Sequence, residues 1–353
     1  MRPPEGPGRD LFRPLTTACI LGCAGAALLP EERALFRDVR PWGFILFRRN
    51  ITDADQVRRL ASSMREAIDD ENAPILLDQE GGRVQRLAPP HWRRYPPAGA
   101  YGAAGTSDLD RRGLAWLGGR LIAHDMSLLG LNVNCAPVLD VSAGPDDGIV
   151  GDRGFGASPH EAAMLGRAFA EGLIGGGVLP VIKHVPGHGR GLADSHHELP
   201  IVDCSVAELE SRDLLPFRAL SDMPMAMTAH VLFTAVDRQR PATTSRRVVK
   251  RLIRGAAGFS GLLLTDDLSM NALAGSLSER VGGALSAGCD IALHCNGVFD
   301  EMVAVAAAAG ALVGESKRRA VAARRRVPKQ SEPFDVAAAL HTFDAAFPRR
   351  LAA

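Results

Sequence analysis

Eight short apolar runs recur along the chain, separated by longer amphipathic stretches, and this alternation limits the fold more than any other feature of the sequence. Runs without polar alternation are typical of parallel strands that are buried on both faces. Eight strand–helix repeats predict an α/β protein built as a single (β/α)8 TIM-type barrel. The runs are ACILG (18–22), GFILF (43–47), PILLD (74–78), LNVNCAP (131–137), LPVIKH (179–184), MAMTAH (225–230), GLLLTDD (261–267) and CDIALHC (289–295).

Some stretches between the runs have clear helical patterns. TDADQVRRLASSMREAID (52–69) has one apolar stripe, with Thr52 as the predicted N-cap. SPHEAAMLGRAFAEGLIGGG (158–177) begins with Ser158 as a cap and ends in a glycine run. With no G-x-G-x-x-G after the first run, an open dinucleotide-binding sheet is disfavoured. We predict a flexible segment at residues 1–12 and one barrel domain over residues 13–345.

The N-terminal run has two interpretations. Arginines precede TTACILGCAGAALL (16–29), as they do in a secretory signal. We favour a buried first strand followed by a helix that begins at PEERALF (30–36), because Pro30 suits an early helical position. No stretch of the sequence is long and apolar enough to span a bilayer.

Net charge and cysteine content indicate which binding partners and which cellular compartment to expect. The formal net charge is +1, so no global field attracts nucleic acid or a membrane surface. The basic run SKRRAVAARRRVPK (316–329) has no aromatic residue to stack on a base, and we interpret it as a solvated helix face and the turn after it. The six cysteines form no CxxC pair, which favours a reducing, cytoplasmic location.

Polar residues gather where the apolar runs end. Asp78, Asp140, Lys183-His184, His230 and Asp266-Asp267 each end or closely follow a run. Chemistry in a barrel lies at the carboxyl ends of the strands, so these groups are expected to share one mouth.

The segment KHVPGHGRGLADSHHELP (183–200) holds four of the ten histidines. A zinc site could use His184, His188 and either His196 or His197, but the spacing is loose and glycine and proline oppose a helix. A serine hydrolase is weaker, since no G-x-S-x-G is present. A solvated loop without chemistry is the third alternative. Acid/base work fits better, because Asp194 lies two residues before His196 and can orient its imidazole and raise its pKa.

Asp266 is a candidate for the nucleophile that would act together with this acid/base pair. It ends an apolar strand, so its carboxylate is held on rigid structure and suits a nucleophile. The next residue, Asp267, points the other way along the strand and is expected to brace the scaffold.

The motifs, taken together, resemble glycoside hydrolase family 3, and specifically its bacterial single-domain β-N-acetylglucosaminidase (β-N-acetylhexosaminidase) branch. The resemblance covers nearly the whole chain in order. It rests on DQEGGRVQR (78–86), KHVPGHG (183–189) with ADSH (193–196), and LLLTDDLSM (262–270), supported by GFILFRRNI (43–51), NVNCAPVLDV (132–141), MTAHV (227–231) and AGCDIAL (287–293).

The resemblance implies roles for particular residues. Asp266 corresponds to the nucleophile of a retaining mechanism, His196 to the general acid/base and Asp194 to its partner. The residues implied to bind the terminal sugar are Asp78, Arg86, Arg153, Lys183 and His184. Arg83 is interpreted as part of a structural ion pair, and His188 and His197 as loop scaffolding.

The resemblance also implies a substrate and a setting. The substrates are peptidoglycan fragments with non-reducing β-linked N-acetylglucosamine, such as anhydro-muropeptides recycled in the cytoplasm. No cofactor, metal, nucleic acid or membrane partner is expected, and the protein is expected to be a monomer.

Two other functions stay open, and three positions depart from the family pattern. A β-glycoside phosphorylase could use the same site, because a histidine acid does not repel phosphate. A catalytically idle barrel could bind cell-wall sugar as a sensor. Val185 replaces the usual aromatic, Gly154 a serine, and Thr265 a serine; the first two could change the shape of the pocket.

Overall fold

The structure is a computed structural model that describes residues 15–142, 149–191, 195, 197–328 and 333–348. Its centre is a closed barrel of eight parallel strands. Each strand arises from one of the predicted apolar runs, so the predicted fold is confirmed. The strands are β1 (Thr17–Leu21), β2 (Pro41–Leu46), β3 (Ile75–Leu77), β4 (Val133–Asn134), β5 (Leu179–Val185), β6 (Met225–Thr228), β7 (Leu262–Asp267) and β8 (Ile291–His294).

The strands follow one another around the barrel in chain order, and β8 pairs with β1 to close it. Cys19 lies opposite Ala292 at this closure. Because every strand is parallel and has two neighbours, all eight carboxyl ends open at the same side. The side chains that follow these ends therefore meet although they are far apart in sequence.

Helices connect the strands and cover the outside of the barrel. Between β5 and β6 and between β6 and β7 the covering segments are short and partly π-helical (Val206–Glu208, Leu209–Asp213 and Leu215–Ala219; Arg246–Val248 and Val249–Ala256). Other short helical segments are Arg48–Asn50, Gly99–Ala103, Gly151–Arg153 and Ala242–Thr244. The longer helices are Pro30–Val39, Ala54–Ile68, Asp108–Ser127, Pro159–Gly175, Leu277–Ala287, Phe299–Ala309, Gly314–Arg324 and Val336–Ala346.

Two two-stranded ribbons lie outside the barrel. Gln79–Gly81 pairs antiparallel with Val84–Gln85 directly after β3. Ile201–Val202 pairs parallel with Leu232–Phe233. The first ribbon turns the DQEGGRVQR motif back over the carboxyl end of β3, beside the mouth of the barrel.

Helix caps agree with the sequence in one case and correct it in another. Ser158 is the N-cap predicted for Pro159–Gly175, and its hydroxyl accepts from the N–H of Glu161. The prediction of Thr52 as a cap is wrong. Asp53 caps Ala54–Ile68 and accepts from the N–H of Gln56, because its negative charge suits the first turn of a helix and the Thr52 hydroxyl donates instead to the Gln56 side chain.

The N-terminal apolar run supplies β1, as favoured from the sequence. Helix Pro30–Val39 follows with Pro30 as its first residue. Glu32 in its first turn is buried, and its carboxylate accepts from the N–H groups of Ala24 and Leu29. The Glu32 carboxylate therefore satisfies two main-chain N–H groups of the turn that connects β1 to this helix.

Helices Asp108–Ser127 and Pro159–Gly175 approach each other closely. A Cβ atom added to Gly119 would lie 2.1 Å from the main-chain oxygen of Phe169, and one on Gly172 would lie 2.1 Å from that of Trp116. Only glycine permits this contact between the two backbones. These glycines therefore set the spacing of the two helices.

The interpretation of the basic run is partly confirmed. Helix Gly314–Arg324 carries most of it, and Arg318 is exposed there. Arg319, however, pairs with the buried Asp290, and Arg324 pairs with Asp70. No helix among the described residues has the length and apolarity that crossing a membrane requires.

Candidate active site

A cavity of about 350 Å³ opens at the carboxyl ends of the barrel strands. Six of the predicted site residues line it: Asp78, Arg86, Arg153, Lys183, His184 and Asp266. Asp194 and His196 lie outside the described residues, so their predicted pairing stays a prediction. The other lining residues include Ile45, Phe47, Glu80, Arg83, Asp140, His188, Ser195, Met227, Asp267, Met270, Leu293 and Cys295.

A network of ion pairs forms one side of this cavity. The Lys183 ammonium lies 2.9 Å from Asp78 Oδ1 and 2.7 Å from Glu80 Oε1. Arg86 donates to Asp78 Oδ2 at 3.0 Å. Arg153 donates through Nε and Nη2 to the two oxygens of Glu80, at 2.9 and 2.8 Å. Three cations from three different loops or strands therefore share two carboxylates that follow β3.

The network keeps its members ionised. Burial would raise the pKa values of Asp78 and Glu80, but the neighbouring cations lower both below their usual range. Burial would lower the pKa values of Lys183 and Arg153, but the carboxylates raise both. Fixed carboxylates accept hydrogen bonds and fixed cations donate them, so this wall can bind several hydroxyl groups of a neutral ligand.

His184 is held by a carboxylate that lies behind it. Its Nδ1 is 2.6 Å from Oδ2 of Asp140, which is fully buried. A carboxylate only accepts, so Nδ1 carries the proton and Nε2 is directed into the cavity. Asp140 also accepts from the main-chain N–H groups of His184 and His188. One carboxylate thus orders the start of the histidine-rich segment.

Asp266 is the next-to-last residue of β7 and faces this imidazole. Its Oδ2 lies 3.9 Å from His184 Nε2, and its Oδ1 accepts from the N–H of Asp267 at 2.8 Å. Burial would raise the pKa of the Asp266 carboxyl, but His184, His230 and the Asp267 N–H lower it below its usual value. Asp266 is therefore an ionised carboxylate, ordered on a barrel strand and open to the cavity, which is what a nucleophile requires.

Asp267 and His230 stabilise the end of β7 through hydrogen bonds. Asp267 accepts from the N–H groups of Ser269 and Cys295 and from the Ser269 hydroxyl, as its predicted bracing role requires, although it also lines the cavity beside Asp266. His230 Nε2 donates to the main-chain oxygen of Asp267 at 2.9 Å, and its Nδ1 contacts Thr243. Burial lowers the pKa of His230, so this imidazole is neutral at pH 7 and serves as scaffold.

Three residues of the site are not among those predicted from the sequence. Glu80 stands two positions after Asp78, and side chains two apart in an extended segment share a face, so this signal was present. Asp140 was identified as a polar residue after a strand but was not placed in the site. His188 was interpreted as scaffolding, but it lines the cavity, with its ring centre 6.1 Å from that of His184.

Arg83 was assigned to a structural ion pair. Its guanidinium donates to the main-chain oxygen of Ile149 at 2.6 Å and lies 4.0 Å from Asp152. The contact with Asp152 agrees with the ion-pair interpretation, but Arg83 also lines the cavity, from which that interpretation excluded it.

Two of the departures from the family motifs have physical reasons. A Cβ atom at Gly154 would lie 2.7 Å from the main-chain oxygen of Asp140, so a serine there would require a backbone shift. Thr265 is buried, and its hydroxyl accepts from the N–H of Leu293, as a serine hydroxyl would. Val185 is buried in β5, and nothing in the structure explains the loss of the aromatic ring.

The zinc alternative cannot be built from the described histidines alone. Among the residues that the structure describes, no group of three or more histidine, cysteine, aspartate or glutamate side chains is placed to hold a metal ion. His184 Nδ1 is already used by Asp140, and His196 lies outside the described residues.

A closed (β/α)8 barrel with an ordered carboxylate, an imidazole and paired cations at the carboxyl ends of its strands has the architecture of a TIM-barrel enzyme. The family model "Glycosyl hydrolase family 3 N terminal domain" matches residues 26–329. The chain therefore belongs to glycoside hydrolase family 3 and is a glycoside hydrolase.

Individual proteins support this assignment. A beta-hexosaminidase from Tolumonas auensis is 40% identical over 286 residues, which cover 78% of this chain and 82% of that protein. The crystal structure of NagZ from Neisseria gonorrhoeae in complex with N-trifluoroacetyl-D-glucosamine has 32% identity and a TM-score of 0.74, over 89% of this chain and 97% of that one. A family 3 β-N-acetylglucosaminidase from Paenibacillus sp. str. FPU-7 has 30% identity and a TM-score of 0.83, over 93% of this chain and 66% of that one.

Proposed function

We propose that the protein is a retaining, exo-acting β-N-acetylhexosaminidase that removes non-reducing terminal N-acetylglucosamine. The observation that carries the proposal is the position of Asp266, an ionised carboxylate that is fixed at the end of β7 and opens into the cavity. Relatives named beta-hexosaminidase and structural neighbours named β-N-acetylglucosaminidase support this choice of sugar.

The proposed reaction has two steps. In the first, Asp266 attacks the anomeric carbon while His196 protonates the leaving oxygen, which gives a covalent glycosyl–enzyme. In the second, His196 removes a proton from water, and the water displaces Asp266 from the sugar. Asp194 is proposed to orient His196 and to stabilise its charged form.

The ion-pair wall is proposed to hold the terminal sugar. Asp78 can accept from sugar hydroxyls, while Lys183, Arg86 and Arg153 can donate to hydroxyl or carbonyl oxygens. His184 directs Nε2 into the same space beside Asp266. Binding several groups of one ring would place its anomeric carbon against the nucleophile and lower the entropic barrier.

The proposed natural substrates are peptidoglycan fragments, including N-acetylglucosaminyl anhydro-muropeptides, and the proposed role is cell-wall recycling in the cytoplasm. We also propose that residues 13–345 act as one domain and that the protein is a monomer. Free cysteines agree with a reducing compartment, since the six thiols are all unpaired and five of them are buried.

Release of nitrophenol from its β-N-acetylglucosaminide tests the proposal. The wild-type protein should hydrolyse this substrate at a rate that does not depend on phosphate, and NMR should show the β-anomer of N-acetylglucosamine first. Turnover that requires phosphate would replace hydrolysis by phosphorolysis. Binding of N-acetylglucosamine without turnover would instead support a sugar-binding barrel.

A further inference from the structure

Glu80 is a buried carboxylate that contacts two cationic side chains of the cavity. It is 5% exposed, and it bridges Arg153 and Lys183 through three contacts of 2.7 to 2.9 Å. We propose that Glu80 is a positioning residue that fixes these two cations and offsets one of their two positive charges, so that the cavity selects a neutral sugar over an anion. This inference rests on the proposed function, because it assumes that Arg153 and Lys183 bind the sugar.

The geometry limits which donors face a ligand. Arginine has five N–H groups, and Glu80 accepts from the Nε and Nη2 groups of Arg153. Lysine has three N–H groups, and Asp78 and Glu80 lie within hydrogen-bond distance of the Lys183 ammonium. Glu80 thus fixes one edge of the guanidinium and one direction of the ammonium, and the remaining donors point in defined directions.

Fixing the two cations from one side chain links distant parts of the chain. Arg153 belongs to the segment Gly151–Arg153 that follows β4, and Lys183 lies on β5. Glu80 lies in the ribbon after β3. Without Glu80, no shared carboxylate would fix the orientation of the Arg153 side chain relative to that of Lys183. Both long side chains would then regain rotamer freedom.

Glu80 also supplies a negative charge beside these cations. Glu80 is the carboxylate within 4.0 Å of Arg153 among the described residues, and it shares Lys183 with Asp78. Glutamine at this position would keep the shape of the side chain but remove its charge. Asp78 would then be the carboxylate that remains beside Lys183 and Arg86, and the Arg153 guanidinium would lose its close carboxylate. Such a pair of cations binds an oxyanion well, because both donate charged hydrogen bonds.

The experiment compares the wild-type protein with Glu80→Gln and Glu80→Asp. Nitrophenyl β-N-acetylglucosaminide kinetics give KM and kcat, and calorimetric titration with sulfate measures anion binding without requiring activity. For Glu80→Gln we expect KM to rise at least tenfold, kcat to change by less than fivefold, and sulfate to become a competitive inhibitor at millimolar concentration. For Glu80→Asp, which keeps the charge but is shorter, we expect KM to rise without sulfate binding.

Asp290→Asn is the matched control. Asp290 is also a buried carboxylate that bridges two cations, Arg254 and Arg319, but it precedes β8 and so lies at the opposite end of the barrel. Its variant should lose thermal stability without any change in KM or in sulfate binding.

The outcomes separate the inference from the proposed function. Unchanged KM and absent sulfate binding in Glu80→Gln would overturn the inference and leave the hydrolase intact. A large fall in kcat at constant KM would also overturn it, because Glu80 would then act in the chemical step. A wild-type protein without turnover would refute the proposed function, while sulfate binding by Glu80→Gln but not by wild type would still support the charge balance. Should Glu80→Gln not fold, a rise in KM for Glu80→Asp supports positioning, and an unchanged KM overturns it.

Discussion

Asp140 holds His184 from behind: the Asp140 Oδ2 to His184 Nδ1 distance is 2.6 Å, and both groups are buried. The contact fixes the ring so that Nε2 lies 3.9 Å from Asp266. The two side chains come from neighbouring parts of the barrel mouth, one after β4 and the other on β5. The carboxylate thus determines which nitrogen of the imidazole meets the reacting groups.

Replacement of Asp140 should therefore impair both stability and catalysis. An asparagine can offer N–H to Nδ1 and favour the other tautomer, so we expect kcat/KM of Asp140→Asn to fall by about 100-fold. Loss of the buried carboxylate should also reduce the free energy of unfolding by about 3 kcal/mol. Kinetics and denaturant unfolding check the two effects. Asp222→Asn, which changes an exposed carboxylate paired with Arg167, serves as control, and equal kinetics for both variants would contradict the role of Asp140.

Asp266→Asn tests the nucleophile. The amide preserves shape but cannot form the glycosyl ester, so we expect kcat to fall by at least about 10³-fold, equivalent to roughly 4 kcal/mol of barrier. Thermal stability should change little, because the N–H of Asp267 can still donate to the amide oxygen. Residual activity within tenfold of wild type would show that another group attacks the sugar. Mass spectrometry with a slow fluorinated substrate should detect the adduct on the wild-type protein alone.

The free energy of unfolding should decrease in two stages as the pH is lowered. The pKa values of buried His188 and His230 are lowered, so below pH 6.5 the unfolded chain binds protons that the folded chain does not. The lowered pKa values of Asp78, Asp140 and Glu80 add a second loss as the pH falls below about 4.5. Thermal melting between pH 8 and pH 3.5 checks this. His188→Gln should lessen the first decline, and a constant Tm down to pH 4 would contradict the prediction.

The glycines of the histidine-rich segment should differ in their tolerance of alanine. A Cβ atom at Gly189 would lie 2.0 Å from the main-chain oxygen of Val141, whereas the nearest atom to one at Gly191 is 3.1 Å away. Gly189→Ala should therefore displace the loop and destabilise the protein by about 1–3 kcal/mol.

Gly191→Ala is the milder change, because the nearest contacts of its Cβ atom would be tight without overlapping the main chain. It should therefore destabilise the protein less than Gly189→Ala. Denaturant unfolding of the two variants measures both free energies of unfolding, and equal losses would contradict this difference.

The residues of the site could be predicted where local sequence carries the signal. Asp78, Lys183, His184 and Asp266 each end or directly follow an apolar run, and each lines the cavity. Asp53 shows where local reasoning is weaker, since Thr52 and Asp53 are both good caps and only the path of the chain into the helix decides between them.

The sequence by itself determined the barrel, because eight buried parallel strands require eight apolar runs, and the order of those runs fixes the order of the strands. It also determined the carboxyl-end position of the site, since that follows from the direction of each strand. The tertiary structure alone decided the partners. Glu80 meets Arg153 across 73 residues, and Asp140 meets His184 across 44. Such contacts depend on how the loops converge after the barrel closes, and no periodicity in the sequence encodes that convergence.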